Sequence, residues 1–158
     1  TSPLMVNAML ALSILGIMVG AYVSARKSIN SVKVNNIYTG STTITVCAIL
    51  VPIVSSLSFI PNSTALIIVS TLILIFGVGA GMMLVPLNAL IQAHSAKDGL
   101  GSVLAGKNWI QNMAMIGLLL LTVLLAKSNV SSVYILYLNA LIAVVGFTVV
   151  LKRLKAIL

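Results

Sequence analysis

Five apolar runs, each about twenty residues or longer, decide most of what this chain can become. They extend from about Pro3 to Ala25, Ile37 to Ile60, Ala65 to Ala93, Gly101 to Ala126 and Val133 to Leu151. A bilayer's hydrocarbon core is about 30 Å thick, and about 20 residues of helix cross it. Lipid offers no partner to a free backbone amide or carbonyl, so only helices and closed barrels span it. Barrel strands alternate apolar with polar residues, whereas these runs are continuously apolar. The expected fold class is therefore an all-α membrane protein with five transmembrane helices. Composition agrees: 60% of the 158 residues are hydrophobic and 6% are charged, where soluble domains carry about 25% charged residues. No separate soluble domain is expected, and 1–158 reads as a single transmembrane region.

The connectors Arg26–Asn36, Pro61–Thr64, His94–Leu100 and Lys127–Ser132 are short and polar. The net charge of +8 comes from nine Lys and Arg against one acid, Asp98. These charges lie between apolar runs and not along one face, which excludes a nucleic-acid surface. Basic residues favour cytoplasmic connectors. With five alternating spans, Arg26, Lys27, Lys33, Lys97, Lys152, Arg153 and Lys155 share one side, and Lys127 stands alone on the other. The expected placement has the C-terminus in the cytoplasm and the N-terminus outside, in a multi-pass protein of the bacterial inner membrane. The chain begins at Thr1 without a signal-peptide pattern. An outward N-terminus then calls for an earlier span, and the expectation is a piece of a longer chain.

Small residues at four-residue spacing, Gly16 with Gly20 and Gly77 with Gly81, are expected to let helices approach closely in lipid. Gly77, Gly79 and Gly81 lie inside an apolar span with no strand before them, which argues against a nucleotide loop. Pro52 and Pro86 each remove a backbone hydrogen bond and are expected to kink their helices at points usable for gating. Cys47, alone in an apolar run, reads as a packing thiol.

The polar constellation lies where the third span ends and the fourth begins. Asn88 and Gln92 are four apart and share a helix face, as do Lys107 with Gln111 and Asn108 with Asn112. Trp109 is adjacent. Polar groups are unfavourable towards lipid, so this face is expected to meet a partner helix or a wet cavity. Lys107 lies roughly 9 Å into its span at 1.5 Å per residue. Its charge could draw in a phosphate or carboxylate, or its ammonium could snorkel to the interface. His94 and Asp98 are four apart, too few for a metal site, and suit a local helix-end interaction. No span contains Asp or Glu, and no serine, histidine and acid form a catalytic set. No enzyme, cofactor or metal is expected.

The run Val85-Pro86-Leu87-Asn88-Ala89-Leu90-Ile91-Gln92, after a glycine-rich span, resembles the lysophospholipid transporters of the major facilitator superfamily. Gly101-Ser102-Val103-Leu104-Ala105-Gly106-Lys107-Asn108-Trp109-Ile110-Gln111-Asn112 resembles that family's next segment, and Gly20-Ala21-Tyr22-Val23-Ser24-Ala25-Arg26-Lys27 its glycine-to-basic loop. Met113-Ala114-Met115 stands where the family pattern would bring an acid and an Asn, so no role for that acid carries over. The resemblance covers nearly the whole chain as spans eight to twelve of twelve, part of the C-terminal half. It implies movement of lysophospholipids across the inner membrane, with membrane lipids and the N-terminal transporter helices as partners. Two alternatives stand beside it. One is export of drugs or other amphipathic solutes, suited by Met82, Met83, Met113 and Met115. The other is a non-transporting membrane subunit.

Overall fold

A computed structural model describes residues 3–27, 34–57, 59, 61–95 and 99–155. It contains five α-helices: α1 (Pro3–Lys27), α2 (Val34–Ser56), α3 (Asn62–His94), α4 (Leu100–Lys127) and α5 (Ser132–Lys155). All five are long and apolar enough to cross a membrane, and no strand occurs among the described residues. The chain is thus an all-helical protein of the multi-pass membrane type.

The helix limits differ from the sequence expectation mainly in α2. It starts at Val34 and not at Ile37, so Asn35 and Asn36 belong to helix and not to the connector. It ends at Ser56 and not at Ile60. Ser55 and Ser56 turn their hydroxyls back onto the carbonyls of Val51 and Ile53. Leu57 closes a turn on Val54, and Pro61, which has no amide proton, follows. At the other end of the chain α5 continues past Leu151 to Lys155.

α3 is the hub. α1 packs on one side of it and α2 on the other; α5 lies on α2, and α4 touches α5 only lightly. Glycine makes this possible. A side chain at Gly77 or Gly81 would collide with the backbone oxygens of Ser13 and Ile17 of α1. One at Gly16 or Gly20 would collide with the oxygens of Leu74 and Val78. The expected close approach is thus realised between α1 and α3. Gly79 points the other way, where its added Cβ would come within 3.0 Å of the Gly40 oxygen of α2. Three alternate glycines therefore serve two seams on opposite faces of one helix. Cys47 is buried in α2, as expected of a packing thiol.

Candidate functional site

Pro52 and Pro86 are buried inside uninterrupted helices. Proline at position 86 cannot donate to the carbonyl four residues earlier, that of Met82. The hydroxyl of Ser24, on α1, donates to that oxygen at 3.3 Å. Ser24 in turn accepts from Nδ2 of Asn36, on α2, at 3.3 Å. Ser24 and Asn36 are both buried. A neighbouring hydroxyl thus replaces the missing amide, as helix-interior proline requires in lipid, and the same chain of bonds ties α1, α2 and α3 together. Sequence reasoning did not pick out this cluster, because Asn36 reads as a connector residue. A serine one residue before Ala25 and an asparagine three before Thr39 carry no spacing signal that pairs them with Pro86.

Lys107 sits seven residues into α4, roughly 10 Å at 1.5 Å per residue. Its ammonium donates to Oδ1 of Asn88 at 2.8 Å, joining α4 to α3. Both residues are half-buried. The structure therefore brings together two of the six polar residues expected there. Gln92, Asn108, Gln111 and Asn112 are exposed, and among the described residues their side chains make no hydrogen bond to protein. No residue of α4 is buried, and Trp109 is 65% exposed. The broad polar face is present, but only its Lys107 edge is covered by a neighbouring helix.

The arrangement is a cation inside an apolar span, held by one neutral acceptor. Asn88 takes one of the three N–H bonds of the ammonium, and among the described residues no other side chain accepts from it. No acid in any of the five spans supplies a counter-charge, since the one carboxylate side chain of the sequence is Asp98. Lys97 and Asp98 lie outside the described residues. His94 places Nδ1 3.0 Å from the Leu90 oxygen of its own helix, a local helix-end contact. On the same side of the bundle the Arg26 guanidinium lies 4.9 Å over the Tyr22 ring. At the opposite end Ser56 and Tyr137 are 3.4 Å apart and link α2 to α5. Among the described residues no cluster of three metal-ligating side chains occurs.

Comparison of the chain with family models, curated proteins and solved structures yields no match.

Proposed function

We propose that this chain forms part of a secondary transporter of the major facilitator type that moves lysophospholipids across the bacterial inner membrane. The observation that carries the reading is the 2.8 Å bond from Lys107 to Asn88 between two membrane-spanning helices. A charge that far inside a membrane span is costly and is usually retained for function. A phosphate is a fitting partner for an ammonium that, among the described residues, bonds only Asn88, and an acyl chain would suit the apolar residues of the spans. Exposed Asn108, Gln111, Asn112 and Gln92 would hydrogen-bond polar headgroup atoms. Helices preceding α1 would complete the site. In such a cycle α2 and α3 would bend at Pro52 and Pro86. On the rule that basic connectors stay inside, the Lys107 end would face the cytoplasm.

Uptake of lysophosphatidylethanolamine into vesicles containing the full-length protein tests the assignment. A hydrogen bond to a charged group contributes about 1.5–3 kcal/mol. Lys107→Ala should therefore slow uptake at least about tenfold. Asn88→Asp should also slow it, because a carboxylate beside the ammonium supplies the counter-charge that the phosphate would otherwise provide. Normal uptake by both variants removes the pair from the site. A second reading, export of other amphipathic solutes on the same architecture, is favoured by exposed Met113 and Met115 on α4. Methionine surfaces re-pack around varied ligands, and a substrate panel without lysolipid preference would select that reading.

A further inference from the structure

The seam between α1 and α3 keeps one register along its length. Gly16 meets the carbonyl of Leu74, and Gly20 meets that of Val78. Ser24 meets that of Met82, and all three pairs are 58 residues apart. In an α-helix the first two carbonyls bond the amides of residues 78 and 82. The third has no such partner, because residue 86 is proline. Two seam positions are glycine, which only lets the backbones close up. The third is serine, which brings a donor to the one carbonyl of the three that lacks an amide. Asn36 of α2 holds that serine through Nδ2, and both side chains are buried.

Just beyond this point of α3 stands Asn88. It follows Pro86 by two residues, about 200° round the helix at 3.6 residues per turn. It therefore faces away from α1 and towards α4, where its Oδ1 accepts from Lys107. A proline ring presses on the carbonyl four residues before it and kinks the helix there. Opening on the α1 side tips the rest of α3 the other way, towards α4. A change of about 20° in that bend, the scale of a proline kink, carries Asn88 about 1 Å, since it stands roughly 3 Å along the axis from Pro86. Along the bond, such a shift takes the 2.8 Å contact out of hydrogen-bonding range.

We propose that Ser24 is a positioning residue for the Lys107–Asn88 pair. Its hydroxyl, anchored by Asn36, fixes how far α3 opens at Pro86 and so whether Asn88 reaches Lys107. The pair on one side of α3 is thereby set from α1 and α2 on the other. This concerns the bond itself; only its consequence for uptake rests on the transport reading.

Spin-label distances in the full-length protein in nanodiscs, in a Cys47→Ser background, test this. One pair, Ala93→Cys on α3 beyond Pro86 and Ile110→Cys on α4, reads the bend. A second pair, Ile75→Cys with Ile110→Cys, starts from before Met82 and is the reference. All three positions are exposed. Ala93 is roughly 10 Å beyond Pro86, so Ser24→Ala should shift the first distance by about 4 Å for a 20° change and leave the second alone. Adding Pro86→Ala, which returns an amide to the Met82 carbonyl, should restore the first distance. Asn36→Ala should reproduce the shift, and it decides where Ser24→Ala does not fold. In vesicles Ser24→Ala should slow lysophosphatidylethanolamine uptake severalfold, with no further loss in a Lys107→Ala background. An unshifted first distance, an equal shift of both distances, or no restoration by Pro86→Ala would each overturn the proposal. Absence of uptake by the unaltered protein would remove the transport reading and leave the distances to decide this one.

Discussion

Pro86 leaves the carbonyl of Met82 without the amide that an α-helix would normally offer it, and Ser24 supplies the replacement. This substitution of one donor for another makes a specific energetic claim. Hydrogen bonds between membrane helices average about 0.6 kcal/mol and reach about 1.7, and an orphaned buried acceptor costs more than the mean bond contributes. Ser24→Ala should therefore destabilise the protein by about 1 kcal/mol. In a Pro86→Ala background residue 86 regains its N–H and can satisfy Met82 itself, so the same serine change should lose most of its effect. A double-mutant cycle in detergent unfolding measures that coupling. Additive effects would show that the serine acts independently of the proline. Asn36 belongs to the same unit through its bond to Ser24, which explains a buried asparagine at the start of a membrane helix.

Among the elements, α3 and α4 are opposites. α3 is gripped on both faces through glycines that bring backbones into contact, while α4 buries no residue. Substitution at the two kinds of glycine should therefore differ in sign. Gly81→Val drives a side chain into the backbone of α1 near Ile17 and Ala21. Neither backbone can yield as a side chain would, so the loss should exceed the roughly 1–3 kcal/mol typical of overpacking. An added Cβ at Gly117 of α4 meets nothing within 4 Å, and Gly117→Ala should be neutral or gain about 0.5–1 kcal/mol from helix propensity. Thermal stability of the purified protein in detergent compares them; equal losses would contradict the α1–α3 seam. The exposure of α4 also bears on function. An Asn108, Gln111 and Asn112 surface on an apolar span is tolerable only against water or a polar partner.

For the whole molecule, the alternating helices place the C-terminal ends of α1, α3 and α5 on one side. The basic residues predict that this side is cytoplasmic. In a Cys47→Ser background, a membrane-impermeant maleimide should label Lys127→Cys in intact cells and Lys152→Cys only after permeabilisation. The reverse pattern would invert the topology and move Lys107 to the outer end. α3, with 33 residues, is roughly 50 Å long at 1.5 Å per residue, which exceeds the bilayer core. It must tilt or project, and accommodations of this kind are common.

The sequence by itself determined that the chain is helical, how many helices it has and roughly where each runs, because lipid forbids unpaired backbone and helical rise ties length to membrane thickness. It also determined the Gly16, Gly20, Gly77 and Gly81 positions and the depth of Lys107, which are properties of spacing along one helix. Only the tertiary structure decided which helix each face meets. Periodicity places Asn88 and Lys107 on faces, but their bond depends on how α3 and α4 lie together. The same holds for the Gly79–Gly40 seam and for Ser24 reaching the carbonyl freed by Pro86. In a water-soluble protein an apolar stripe would reveal the inward face of each helix. Here lipid and protein are equally apolar, so that stripe is absent and the pairing emerges only when the helices pack.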